Sequence, residues 1–308
     1  MKSILAFLLV FCTWVTCYGQ TNPLKFSPIK LKGYKTIIET HVKYFPLDST
    51  ITKTVYEINQ LGKVTRNDSY KKEVKVSFEK FLYSNSGQLL SKETHNQIYA
   101  YDEQAKDHVP SLPDDFYHLT TYEYKAGKLN REKTSYVAWG SASLNGDKRI
   151  EYDKNGRVIK EISTNLYTGL VGAFASNSDV LDSIYYKGEA DRSIIAYQYG
   201  KNLVIENQYD TQGKIAFVTR SKLNIKGQVV AWETTDKDGV KVLQGSKTYD
   251  SMDNLVKSQQ EIIEKSRLEG DVLAGDRFEY QYNGKGLLSS YRIYQGSRLL
   301  SKGNFTYK

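Results

Sequence analysis

Three of the four histidines fall within 24 residues, as His95, His108 and His118, in a stretch that also holds Asp102, Glu103, Asp107, Asp114 and Asp115. Imidazole nitrogens and carboxylate oxygens together can hold zinc or another divalent ion, and an oxygen-rich subset can hold calcium. The candidate ligand set is therefore His95, Asp107, His108, Asp114 and His118. The same groups could serve as acid and base in an exported hydrolase, although the separation of two carboxyl groups that glycoside hydrolysis needs is set by folding and not by sequence spacing. Against both readings, the spacing matches no helix or strand ligand motif. Pro110 and Pro113 mark an irregular loop whose charges face water. No phosphate-binding glycine loop, nucleophile elbow or HExxH motif occurs, so no catalytic residue and no cofactor is expected.

Aromatic residues supply the second candidate site. They make up 13% of the chain, and 25 residues are tyrosine. Pairs such as Tyr122 and Tyr124, or Tyr280 and Tyr282, are spaced to share one face of a strand. Their plain reading is cross-strand packing. The functional reading is an exposed platform for sugar rings or a protein partner, with Trp139, Trp232, Tyr122 and Tyr124 as candidates. Trp139 stands beside Gly140 in a turn signal, which favours exposure.

The elements that must position these groups are set by a repeated phrase. An apolar or aromatic residue precedes Asp, Asn or Ser; two free positions, a glycine, one free position and an apolar residue follow. It runs from Asn59 to Gly62 and Val64, and again from Ser84, Asp153, Asp210, Asn224 and Asn283. Asp236 to Gly239 and Asp250 to Leu255 are looser copies, with Asp253 in the glycine place of the second. A short polar side chain that bonds the backbone two residues on, followed by a left-handed glycine, describes a hairpin tip. The flanks alternate and are rich in Tyr, Val, Ile and Thr, as strands are. Shortened tips are expected at Tyr124 to Gly127 and Tyr294 to Gly296, and Asn67-Asp68-Ser69 is expected to supply a turn between the tips at Gly62 and Gly87. The prediction is an all-β chain, a repetitive antiparallel meander of hairpins forming an open curled sheet or a β-solenoid.

Tyr152-Asp153-Lys154-Asn155-Gly156-Arg157-Val158 and Tyr209-Asp210-Thr211-Gln212-Gly213-Lys214-Ile215 resemble YD repeats, the tyrosine-aspartate units of the rearrangement-hotspot (Rhs) family. The resemblance extends loosely over most of the chain. It implies a long antiparallel sheet of YD-repeat type in an extracytoplasmic setting, here short and without a toxin domain.

Lys2, the apolar run from Ile4 to Val15 and the small or weakly polar residues to Gly19 have the layout of a secretory signal peptide, cut after Gly19. The run is shorter than the roughly 20 residues of a spanning helix. Cys12 and Cys17 both lie in it, so the exported chain would hold no disulfide or thiolate site, unless Cys17 is retained and lipidated. With 43 basic and 35 acidic side chains the net charge is +8, or about +7 without Lys2. The excess is scattered beside Glu, which solvates sheet faces and protects edges. Nucleic acid is not an expected partner; a surface glycan or envelope protein is, at the periplasm, cell surface or beyond. One repetitive domain is expected over 20–308, with insertions at about 96–118, 165–183 and 262–277. The reading is a noncatalytic exported binding or structural surface. The alternatives are the hydrolase above or an outer-membrane β-barrel, which would need an apolar lipid-facing band that Lys and Glu interrupt.

Overall fold

The computed structural model describes residues 31–45, 49–102, 107–165, 168–171, 184–187, 191–264 and 277–308. The proposed signal peptide, with Cys12 and Cys17, lies outside them, as do Glu103 and much of the second and third insertions. In chain order the strands are β1 (Thr36–Tyr44), β2 (Ser49–Ile58), β3 (Val64–Lys71), β4 (Val74–Tyr83), β5 (Leu89–Asn96), β6 (Ile98–Asp102), β7 (Asp107–Ser111) and β8 (Phe116–Lys125). There follow β9 (Lys128–Ala138), β10 (Ser141–Tyr152), β11 (Val158–Asn165), β12 (Thr168–Val171), β13 (Ile184–Lys187), β14 (Asp191–Gly200) and β15 (Leu203–Tyr209). The last are β16 (Ile215–Leu223), β17 (Val229–Asp236), β18 (Lys241–Tyr249), β19 (Leu255–Ile262), β20 (Arg277–Tyr282), β21 (Leu288–Gln295) and β22 (Arg298–Tyr307). Eighteen of them belong to one sheet; β6–β7 and β12–β13 form separate two-stranded sheets.

The tips behave as the phrase predicts. At Asp153 one carboxylate oxygen accepts the N–H groups of Asn155 and Arg157, each at 2.9 Å, while Gly156 N–H donates to the Asp153 carbonyl. Asn59, Asp210, Asn224, Asp236, Asp250 and Asn283 repeat the double bond from residues two and four places on. Asp253 takes the left-handed conformation in the glycine place, with φ of 66°. The expected turn at Asn67-Asp68-Ser69 is not formed: these residues run inside β3, paired with β2, and the reversal comes at Lys72 and Glu73, both left-handed. Neither has the side chain that usually marks such a turn.

Tyrosines at strand ends lace successive hairpins together. Tyr124, Tyr152, Tyr249, Tyr282 and Tyr307 donate their hydroxyls to the carbonyls of Leu89, Leu129, Val229, Leu255 and Leu288 at 2.7–3.0 Å. Each acceptor begins, or nearly begins, the strand paired with that tyrosine's own.

By its internal contacts the chain divides into two compact units. Unit 1 (residues 1–76, 198–207 and 216–308) holds the run β16-β17-β18-β19-β20-β21-β22-β1-β2-β3, every neighbouring pair antiparallel. β1 pairs with both β2 and the last strand, β22, Ile37 facing Tyr307. This corrects the expected open sheet or solenoid: the meander closes chain end to chain end, the connectivity of a β-barrel, and neither terminal strand is left as an unpaired edge. A core of Ile37, Ile58, Leu255, Phe278, Leu288 and Phe305 lies on this unit's buried side, under Tyr56, Tyr249, Tyr282 and Tyr307. Buried Glu39 accepts the hydroxyls of Tyr56 at 2.6 Å and Tyr291 at 3.0 Å. Two glycines exist to make room for rings: a Cβ at Gly303 would overlap Tyr291, and one at Gly245 would overlap both Trp232 and the Gln259 carbonyl.

Unit 2 (77–197 and 208–215) holds β4-β5-β8-β9-β10-β11-β14, again antiparallel throughout. The first insertion, expected as an irregular loop, forms the β6–β7 hairpin, with Pro110 opposite Tyr99. A two-stranded ribbon has only edge strands, so the absent N–H of proline is tolerated. Within each unit the long connections (β5 to β8, β11 to β14, β19 to β20) lie at the end opposite that braced by the tyrosine hydroxyls, because antiparallel strands alternate direction.

Tyr282→Phe removes one brace and should cost about 1 kcal/mol, the usual net worth of one hydrogen bond. Gly245→Ala forces ring and backbone apart and should cost about 1–3 kcal/mol. Urea denaturation of the two variants checks the order; an equal or reversed ranking would mean that the glycine's packing is not what the geometry indicates.

Candidate functional site

A groove of about 860 Å³ opens on unit 1, across β16 to β20, with Leu203 and Gly296 at its ends. Register explains its lining. Arg220 faces Glu233 across the β16–β17 pair, Glu233 faces Gln244, and Gln244 faces Glu261; alongside them Lys222, Ala231, Ser246, Gln259 and Arg277 are matched in the same way. Directly opposed residues share a face, so one side of five strands presents amides, a hydroxyl and charges of both signs. Lys241 Nζ lies 2.8 Å from Glu233 and holds its carboxyl below the usual carboxylate range. Gln244 Nε2 donates to Glu261 at 2.7 Å. The Arg277 guanidinium lies 4.1 Å from the Tyr294 ring centre, with its Nε 3.3 Å from Glu279. None of these residues belongs to a sequence motif. What betrays them is alternation: polar residues two apart on strand after strand, in phase with the hairpin tips.

The opposite face of the same strands carries Trp232, Gly245 and Lys247. Trp232 is 8% exposed, so it packs in the sheet and offers no platform. Lys247 is 5% exposed, its Nζ lies 5.6 Å from the Trp232 ring centre and finds no hydrogen-bond acceptor among the described residues, and burial lowers its pKa to about 8.

The other sequence candidates fall as follows. Trp139 is 68% exposed at the left-handed first position of the β9–β10 turn, its ring edge-on to Phe116 at 4.7 Å. Tyr122 and Tyr124 both lie on β8 and are partly buried; burial first, then Glu132 and Glu79, raises the Tyr122 phenol, and Tyr124 is engaged in the seam to Leu89. His95 is buried between Phe78 and Tyr117, with ring centres at 4.1 and 4.7 Å, and its Nε2 lies 3.4 Å from Glu93. His118 pairs with Thr94, the neighbour of His95, so the two histidines point to opposite faces; His118 is exposed beside Tyr136. Asp114 is exposed in the turn before β8, and Asp107 and His108 stand on β7 opposite Asp102 and Tyr101. Among the described residues no three His, Cys, Asp or Glu side chains come together as a metal site.

The arrangement defines a closed antiparallel meander with a polar groove on one of its units. No family model matches the chain, and no curated protein matches it. Among solved structures it is similar to a porin-like protein from Bacteroides uniformis, at 11% identity and a TM-score of 0.28 over 90% of this chain and 98% of that one. It is also similar to a DUF1329 family protein from Desulfovibrio piger, at 11% identity and a TM-score of 0.17 over 91% and 87%. Overlaps this slight identify neither a family nor a role.

Lys247 generates a pH signature. Its folded pKa lies below the unfolded value, so the penalty for burying its charge is present in full below about pH 8 and is relieved as pH rises toward 10.5. The buried tyrosines oppose this from about pH 9 upward, where unfolded phenols begin to ionise while the folded ones do not. Between about pH 8 and 9 thermal stability should therefore rise, and Lys247→Met should be more stable at pH 7 and lose that rise. Melting curves at half-unit intervals check it; an unchanged slope in the variant would assign the effect elsewhere.

Proposed function

We propose that this chain is a noncatalytic exported protein of the cell envelope or its surroundings, whose unit 1 groove binds a surface glycan. The groove carries the reading. Backed by a sheet and lined by amides, a hydroxyl and engaged carboxylates, it matches the donors and acceptors of a sugar's hydroxyls and has no nucleophile with an adjacent base.

The polarity of both sheet faces supports a protein that works with water on either side. In unit 2 one face carries Arg131 bonded to Asp147 at 2.7 and 2.8 Å, Arg149 to the same Asp147 at 3.3 Å, and Lys133 to Glu123. The other face of these strands carries Lys92 bonded to Glu79 at 3.3 Å and Lys148 to Glu161 at 2.6 Å. Each charge turned to lipid near the bilayer midplane would cost about 2–4 kcal/mol for Arg or Lys.

A second reading, an outer-membrane β-barrel, is favoured by one observation: the pairing of β1 with β22, since closure is what a strand-built span requires. That no described helix is long and apolar enough to cross a membrane leaves strands untouched. Kinship with YD-repeat proteins is supported by the tip geometry at Asp153 and Asp210.

Two measurements separate these. Tagged full-length protein is incubated with surface material from the source cells; saturable capture of carbohydrate, reduced by Gln244→Ala with Gln259→Ala, is expected. Washing total membranes with carbonate and urea should release the protein; retention after washing would sustain the barrel and displace the first reading, as would the absence of any bound carbohydrate.

A further inference from the structure

Resting on the glycan reading above, we infer that the groove selects acidic saccharides, whose carboxylate or sulfate groups Arg220 and Lys222 receive. The formal charges in the groove nearly balance, but their engagement does not. Glu233 is held by Lys241 at 2.8 Å, Glu261 accepts from Gln244 at 2.7 Å, and Arg277 lies 3.3 Å from Glu279. Arg220 and Lys222 are exposed, and among the described residues neither has a hydrogen-bond or ion-pair partner. Separated by one residue on β16, they point the same way from the same wall. A guanidinium offers paired donors that fit a carboxylate or sulfate, and an adjacent ammonium adds a point charge.

The rest of the groove argues for a saccharide around that anion. From β16 to β20 is four strand spacings, about 19 Å at roughly 4.8 Å each. Across that width lie Gln244 and Gln259, amides that donate to and accept from hydroxyls, and Arg277, held against the Tyr294 ring, lines the β20 side. A lone phosphate or sulfate would use one wall and leave the amides idle. An anionic lipid surface would meet the exposed cations and, like a lone anion, leave the amides idle.

The test is calorimetric titration of the full-length protein, and of its Arg220→Gln, Lys222→Gln double variant, with oligogalacturonate, a neutral oligosaccharide of equal length, and anionic phospholipid vesicles. Both substituted side chains are exposed, and the folding of the variant is checked by its melting curve. Oligogalacturonate should bind the unaltered protein about tenfold more tightly than the neutral sugar at low salt. The double variant should lose that margin, and added salt should erode it in the unaltered protein alone. Equal affinity for the two sugars would overturn the selectivity and leave glycan binding standing. Binding of neither sugar would overturn both. Vesicle binding stronger than oligogalacturonate and abolished by the double variant would overturn the selectivity and give these cations to a membrane surface.

Discussion

One side-chain oxygen at the start of each of seven hairpin tips, from Asn59 to Asn283, governs this fold. By accepting two backbone N–H groups, from residues two and four places on, it closes the turn and sets which residue of the returning strand faces which residue of the outgoing one. In a sheet whose side chains alternate with a period of two, a slip of one residue would exchange the two faces. Ile58, Leu255 and Leu288 reach the buried side, and Arg220, Glu233 and Gln244 the groove, because the tips beside them are locked in register. The tyrosine hydroxyls act one level up: the oxygen at the tip orders the two strands of a hairpin, and the phenol orders one hairpin against the next.

Features whose cause lies within five or six residues were legible in the sequence. The eight tips from Asn59 to Asn283, the shortened tip at Ala126 and Gly127, and the left-handed Asp253 are of this kind. The reversal at Lys72 and Glu73 was not, because neither side chain has a preference that marks it. Closure was invisible for a deeper reason. The pairing of Ile37 with Tyr307 joins positions at opposite ends of the chain, and nothing in either strand names the other.

The candidate site shows the same division. The histidine and aspartate cluster is a concentration of chemistry along the chain, yet His95 lies between two aromatic rings and His118, opposite Thr94, points the other way, since Thr94 and His95 are neighbours on one strand. Trp139 was correctly anticipated at the surface, from its place beside Gly140, and Trp232 is covered because Gly245 leaves room for it to lie flat. The groove is not legible in the sequence because its members are spread, one or two to a strand, over five strands. Each is an ordinary polar residue on an ordinary strand, and only the summed register makes them neighbours.

The seam tyrosines carry a consequence for how such a chain can change its size. Every joint between successive hairpins that they make uses the same two parts, a phenol at the end of one strand and a main-chain carbonyl at the start of its partner, and the carbonyl is supplied by any residue. A duplicated hairpin carrying its own tyrosine therefore arrives with both halves of the joint and asks no matching substitution of its neighbours. Growth by whole hairpins preserves the antiparallel alternation that lets β1 meet β22, whereas gain or loss of a single strand would bring the two ends together in parallel. The number of strands is in this sense a heritable count of interchangeable units, open to change by recombination in steps of two.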